Sequence, residues 1–234
     1  MKTIGIIGGM SWESSIEYYR IINEVTRKKL GGLHSSKSVM VSVDFAPMEE
    51  MQKNLQWDEA TKVMVKTATQ VALGGADFIV IATNTMHKMY DKVQRAVNIP
   101  ILHIADATAY RIKEKNLRSV GLLGTIFTME MDFYKGRLTD KFELDVIVPE
   151  KKDKMIINQI IYQELVLGNI RNESRVEFMR VMEHLVEKGA EGIILGCTEI
   201  PLLVGANDIS VPIFDTTNIH AETAVEIALG EKKI

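Results

Sequence analysis

One stretch of this chain occurs twice. The segment GGADFIVIATNT at residues 74–85 aligns without a gap to KGAEGIILGCTE at residues 188–199. Gly75-Ala76-Asp77 matches Gly189-Ala190-Glu191, an apolar run follows in each copy, and Thr83 falls opposite Cys197, 114 residues later. Two further landmarks keep nearly that spacing: Gly5 in Ile4-Gly5-Ile6-Ile7-Gly8 precedes Gly121 in Val120-Gly121-Leu122-Leu123-Gly124 by 116 residues, and Pro100 precedes Pro212 by 112. Landmarks in one order at one spacing mark a duplicated half. The repeat predicts two lobes of about 100 residues each, within the usual domain range, with two similar sites facing each other.

Between the landmarks, short apolar runs alternate with longer segments of helical period, the pattern of βα units and parallel sheets. Strands are predicted at residues 3–7, 39–44, 78–82, 101–103, 119–123, 143–148, 192–196 and 213–214. Their largely apolar composition suits sheets covered by helices on both faces. A helix is predicted over residues 11–29, capped by Ser11 or Ser14, with Ile16, Tyr19, Ile22 and Val25 as its inward stripe. Residues 58–73 and 174–188 read as the helices leading into the two matched strands, the second stopped by Gly189. The fold class is therefore α/β. Whether the closing X-Pro units stay with their own half cannot be read from periodicity.

Composition narrows the function. A formal net charge of −3 leaves no electrostatic footprint for nucleic acid, and no apolar run approaches a membrane span. The N-terminal run is too short for a signal peptide and reads as a strand. A single cysteine excludes an intrachain disulfide and suits a reducing cytoplasm. The five histidines (His34, His87, His103, His184 and His220) show no metal-ligand spacing.

In open parallel sheets, ligands sit beyond the carboxyl ends of the strands. Three such ends stand out: Gly8-Gly9-Met10-Ser11, Thr83-Asn84-Thr85 and Cys197-Thr198-Glu199. The paired glycines either present backbone N–H groups to an anion or simply allow a tight turn. Asn84, Thr85 and Thr198 offer neutral donors suited to a small zwitterion or dicarboxylate. Cys197, at the end of an apolar strand, is expected to be the N-terminal residue of a helix that lowers its pKa, making it a general base or nucleophile. An alcohol gives up its proton less readily than a thiol, so Thr83 makes the matched pair lopsided. His87 either orients the Thr83 motif, caps a helix or lies on the surface. Lys88 and Arg171 are either cations for a substrate carboxylate or solvated residues.

The GIIGGMS run, Thr83-Asn84-Thr85-Met86-His87 and Gly196-Cys197-Thr198-Glu199-Ile200 resemble the aspartate/glutamate racemase family across essentially the whole chain. The resemblance implies two α/β lobes related by a pseudo-twofold axis, an active site in the cleft between them, no cofactor and a homodimer. It also implies that the closing strands cross over, giving a first lobe of residues 1–98 plus 209–234 and a second of 99–208. In that family two cysteines flank the substrate α-carbon. Cys197 matches the second, whereas Thr83 stands where the first usually is, a departure that resembles the L-aspartate/glutamate-specific subgroup. The implied activity is cofactor-independent racemisation preferring L-aspartate and L-glutamate, with Cys197 as base and Thr83, directly or through water, as the poorer reprotonating group. Met10, Gln52, Asn84, Thr85, Thr198 and Glu199 are the implied substrate-binding residues, with no metal.

Two other functions fit the same sequence. Relatives with one cysteine at the second site decarboxylate malonate-type acids, using the thiol to protonate one face. A two-lobed solute-binding protein would need no thiol at all.

Overall fold

The run IGIIG has no polar side chain to turn toward water, and it forms a strand buried along its whole length, β1 (Ile4–Gly8). In the computed structural model, which describes residues Met1–Ile234, the chain divides into two units. The first comprises Met1–Ile104 and His220–Ile234, the second Ala105–Ile219.

In the first unit β1 is followed by α1 (Trp12–Leu30), β2 (Ser38–Ser42), α2 (Phe45–Lys53), α3 (Trp57–Leu73), β3 (Phe78–Ile81), a 3-10 turn (Thr85–Met89), α4 (Tyr90–Ala96) and β4 (Ile101–Leu102). The strands are parallel in the order β2-β1-β3-β4. Alternation along β1 and β3 sends Ile4, Ile6, Phe78 and Val80 to one face, against Tyr18 and Ile22 of α1 and Ala221, Ala224 and Val225 of the terminal helix. Ile7, Ile79 and Ile81 face the other way, against Met64, Ala68 and Val71 of α3 and Val93 of α4. Both faces are covered, as parallel strands require.

Helix α1 starts where expected, with the Ser11 side chain accepting from the Ser14 N–H. Its inward face differs from the expected stripe. Ser14, Ser15, Tyr18, Ile21 and Ile22 are buried, while Ile16 and Tyr19 are 53% and 55% exposed. The cause is polar: Ser14 and Ser15 both donate to the Ser11 carbonyl, and the Tyr18 hydroxyl bonds His220, so the helix turns these groups inward.

The second unit contains α5 (Ile104–Glu114, whose first residue closes the first unit), β5 (Ser119–Gly124), α6 (Ile126–Glu130), α7 (Lys135–Phe142), β6 (Asp145–Ile147), α8 (Lys151–Gln163), α9 (Asn172–Glu187), β7 (Ile193–Gly196) and β8 (Ile213–Asp215). Its strands are also parallel, in the order β6-β5-β7-β8, which repeats the first sheet strand for strand. Ile157, Ile160 and Ile161 of α8 and Phe178, Val181, Met182 and Leu185 of α9 pack with Leu123, Ile193 and Leu195.

The closing strands do not cross over. β4 bonds β3 and β8 bonds β7 in register, so each stays in its own sheet. The chain changes unit after Ile104 and after Ile219, later than the expected 98 and 209. What joins the first unit is the helix beyond β8, α10 (Thr216–Ala228), from His220 onward. Its small residues Ala221, Ala224 and Ala228 pack in the apolar layer of β1 and β3.

Gly5 and Gly121, equivalent in the repeat, mark where a helix crosses close to the central strand. A Cβ on Gly5 would lie 2.4 Å from Val71 Cγ1 of α3 and 2.9 Å from the Phe78 carbonyl oxygen. On Gly121 it would meet side-chain atoms only, Ile193 Cδ1 at 2.7 Å and Leu185 Cδ1 at 3.0 Å. Backbone yields less than side-chain tips. Gly5→Ala is therefore expected to cost about 2–3 kcal/mol and Gly121→Ala about 1 kcal/mol, within the usual range for overpacking. Urea midpoints followed by circular dichroism check the order of the two.

Candidate active site

At the carboxyl end of β1 the chain must reverse into α1 within three residues. Gly9 takes φ +90°, and a Cβ there would lie 2.1 Å from the Val43 carbonyl oxygen, so glycine is required for the turn itself. The Gly9 N–H donates to Ser15 Oγ at 2.7 Å. That donor is therefore committed internally, and the anion-holding alternative fails for it. Met10 is 3% exposed and belongs to the apolar cluster with Met48, Met86 and Met89. Gln52, in α2, is buried as well.

The end of β3 carries Thr83, Asn84 and Thr85, all buried, with Asn84 leading the 3-10 turn. His87 fixes this segment. The Ile104 N–H donates to His87 Nε2 at 3.2 Å, which leaves the ring proton on Nδ1, and Nδ1 donates to the Thr83 carbonyl at 2.9 Å. The ring thus bridges two backbone groups and is 2% exposed, excluding the surface placement. Two more histidines stack nearby: the His103 ring centre lies 4.6 Å from that of His87, and that of His220 lies 5.8 Å away. His220 donates from Nε2 to the Leu102 carbonyl at 3.0 Å and accepts at Nδ1 from the Tyr18 hydroxyl at 2.7 Å. Burial first, and the neighbouring His87 second, pull its pKa down to about 3.

In the second unit β7 ends at Gly196, and Cys197-Thr198-Glu199 follow, all buried. The Cys197 thiol donates to Glu199 Oε2 at 3.0 Å, and the Thr198 hydroxyl donates to the same oxygen at 2.7 Å. The expected lowering of the thiol pKa is overturned. Burial pushes it well above the usual thiol range, the Glu199 carboxylate adds to the rise, and the N–H groups of Glu199 and Thr198 oppose it only in part. The expected helix is a 3-10 turn of three residues, Ile200–Leu202, with little dipole to offset a neighbouring carboxylate.

Other polar groups at the strand ends escaped the sequence analysis. Thr125, following β5, caps α6 by accepting from the Thr128 N–H, and Thr216, following β8, donates to the Leu195 carbonyl of β7 at 2.8 Å. The repeat offers a signal for the first, since Gly124-Thr125 stands opposite Gly8-Gly9. Of the two candidate cations, Lys88 lies over the Trp57 ring, 5.1 Å from its centre, while Arg171 is 61% exposed and 3.8 Å from Glu164. No group of three or more His, Cys, Asp or Glu side chains is placed to hold a metal ion.

The arrangement offers a buried thiol beside a carboxylate at one strand end. At the equivalent end of the other unit it offers a buried hydroxyl residue whose backbone is clamped by a neutral imidazole. These are proton-transfer groups rather than phosphate or metal ligands.

Comparison with known proteins agrees. The family model for Asp/Glu/hydantoin racemases matches residues 7–224. The broad specificity amino-acid racemase RacX of Bacillus subtilis (strain 168) is 23% identical over 97% of this chain and 98% of its own length. Among solved structures, a candidate Asp/Glu racemase from Yersinia pestis is 51% identical with a TM-score of 0.92, covering 98% of this chain and 100% of that one. An aspartate racemase homologue from Pyrococcus horikoshii OT3 is 39% identical with a TM-score of 0.86 over the same shares.

The buried histidine gives acid sensitivity of defined sign. Unfolded, His220 takes its proton near the ordinary value of about 6.5; folded, near 3. The unfolded state binds the extra proton between these values. Its contribution to stability is complete above about pH 6.5 and is lost toward pH 3 by about 1.4 kcal/mol per pH unit. Urea midpoints from pH 4 to 6 should fall less steeply for His220→Gln than for the wild type, by one proton's worth.

Proposed function

As a member of the Asp/Glu/hydantoin racemase family this chain is an isomerase, an amino-acid racemase, and we propose that it interconverts the enantiomers of aspartate and glutamate without a cofactor, preferring the L forms. The observation that carries the reading is the pairing of two buried strand ends in sheets of identical order, one closing on Cys197 and its counterpart on Thr83. The reading has these groups act on opposite faces of one α-carbon. Cys197 removes the α-proton of the L enantiomer, and Thr83, directly or through water, returns a proton to the other face.

The clamp on the Thr83 carbonyl supports a fixed position for this second group, since hydroxyl placement decides whether a weak acid can deliver its proton. Asn84 and Thr85 beside it are assigned to the substrate's carboxylate and ammonium groups, with Met10 and Gln52 further along the same unit. Neutral donors here would hold the charge that builds on the α-carboxylate as the proton leaves, typically the largest single term in such catalysis. Of the second strand end, Thr198 presents its backbone rather than its hydroxyl, which is already donated to Glu199. The same reading makes the protein a cytoplasmic homodimer acting on free amino acids, without nucleic-acid or membrane partners. Its single cysteine and modest negative charge support this, and no helix is long and apolar enough to cross a membrane.

The deciding experiment incubates purified protein with each enantiomer of aspartate and glutamate in deuterium oxide, followed by chiral chromatography and mass spectrometry. Deuterium at Cα of the L substrates with appearance of the D forms is expected. Retention of the α-proton in all four would reject the reading, and release of carbon dioxide from a malonate under the same conditions would replace it with decarboxylation. Cys197→Ala should lower exchange by at least about 1000-fold, as loss of a principal acid/base group does. Thr83→Cys should raise turnover of D-aspartate by about tenfold or more, because a thiol loses its proton more readily than an alcohol; no gain would place Thr83 away from the α-carbon.

A further inference from the structure

We propose that Thr217, at the start of α10, binds the substrate's ammonium group, with Glu199 and Asp215 supplying the opposite charge. The proposal deepens the reading above and rests on it. Thr217 is 3% exposed, yet its Oγ1 has no hydrogen-bond partner within the protein. A buried hydroxyl left in that state costs stability and calls for a cause. The neighbouring hydroxyls are spent: Thr216 donates to the Leu195 carbonyl at 2.8 Å, and Thr198 donates to Glu199 Oε2 at 2.7 Å. β8 pairs with β7 in a register that sets Asp215 opposite Leu195. Counted on two residues, the same register sets Thr217 opposite Cys197. The unspent hydroxyl therefore belongs to the strand ends that carry the thiol, in the same unit.

The surroundings select a cation. A bare helix N-terminus favours an anion, but here that place is filled. Asp215 Oδ1 accepts from the N–H of Thr217 at 2.9 Å and from that of Asn218 at 3.1 Å. An incoming carboxylate would find those donors taken and a like charge beside them, with Glu199 following the adjacent strand. An ammonium has three N–H donors and no acceptor, so it satisfies the Thr217 oxygen and is attracted by both acids. The first copy of the repeat carries no such set. Thr217 stands 112 residues after Ala105, the spacing of Pro212 after Pro100, and Asp215 answers to His103 at the same spacing. Glu199 answers to Thr85 in the gapless alignment. A hydroxyl and two acids in one copy thus replace a methyl, an imidazole and a hydroxyl in the other. The ammonium goes to the second unit, and Asn84 and Thr85 keep the carboxylates.

The test compares wild type, Thr217→Val and Thr217→Ser for deuterium exchange into L-aspartate and for competition by succinate, which is aspartate without its ammonium. Thr217→Val keeps the shape and removes the hydroxyl. It should raise KM for L-aspartate about tenfold or more, the usual worth of a hydrogen bond to a charged group, with kcat held within about threefold, as lost uniform binding requires. The inhibition constant of succinate should stay within about threefold of its wild-type value, because no ammonium is there to lose. Thr217→Ser, which keeps the oxygen, should restore KM. The urea midpoint of Thr217→Val should stand at or above that of wild type, since an unpartnered buried hydroxyl contributes nothing to the fold. An unchanged KM for L-aspartate overturns the proposal. Equal weakening of L-aspartate and succinate overturns it too, by returning the hydroxyl to a carboxylate or to packing. So does a fall in kcat with KM held, which would put the hydroxyl on the reacting atoms. If succinate does not compete even with wild type, the change in KM and its rescue by serine decide. Thr217→Ala, read in the same way, stands in if Thr217→Val does not fold. Wild-type protein that exchanges no amino-acid α-proton rejects the parent reading instead, before any variant is compared.

Discussion

Parallel strands buried on both faces leave nowhere in their length for polar chemistry. β1, β3 and β7 are buried at every position, and apolar clusters fill both sides of the first sheet. Titratable and hydrogen-bonding groups are thereby driven to the carboxyl ends, where the chain leaves the ladder and its backbone donors need partners. Each feature of the site follows from that exclusion. Gly9 exists because β1 must turn sharply, Ser15 because the Gly9 N–H would otherwise be orphaned, and His87 because two backbone groups at the end of β3 need bridging.

The same confinement explains what the sequence reveals and what it hides. All eight strands lie where short apolar runs place them, and in β1, β3 and β7 burial on both faces erases polar interruption. The repeat, legible from Gly75-Ala76-Asp77 against Gly189-Ala190-Glu191, correctly anticipates two similar α/β units with parallel sheets; their common strand order comes from the structure. Periodicity failed for α1, where the polar demands of Ser14, Ser15 and Tyr18 outweigh the apolar stripe of Ile16 and Tyr19. It also failed for the thiol. That Glu199 follows Cys197 by two positions is plain in the sequence, but not that its side chain folds back onto the buried sulfur. A carboxylate two residues away in solvent would scarcely matter; burial of the thiol first, and the carboxylate at hydrogen-bond distance second, reverse the direction of the pKa shift.

The two halves have parted company at the positions that touch chemistry. Gapless alignment sets Asn84 opposite Thr198, Thr85 opposite Glu199 and His87 opposite Pro201. One copy closes its turn with a neutral ring whose proton is locked between two backbone groups, the other with an anion bonded to a thiol. Scaffold positions stayed alike, as the equivalent glycines beneath α3 and α9 show. Divergence therefore fell on proton affinity and left the framework unchanged.

The path of the chain has a bearing on how the protein is made. Ala105–Ile219 is one continuous stretch holding all four strands of its sheet, whereas the first unit is assembled from two separate stretches on either side of it, with Lys2 N–H bonded to the Ala228 carbonyl. A ribosome thus delivers the later-encoded sheet complete before the earlier-encoded one can cover its α1/α10 face. Ile4, Ile6, Phe78 and Val80 wait for Ala221, Ala224 and Val225, on a helix that emerges only after both sheets. During synthesis, it is the beginning of the chain that stays unfinished longest.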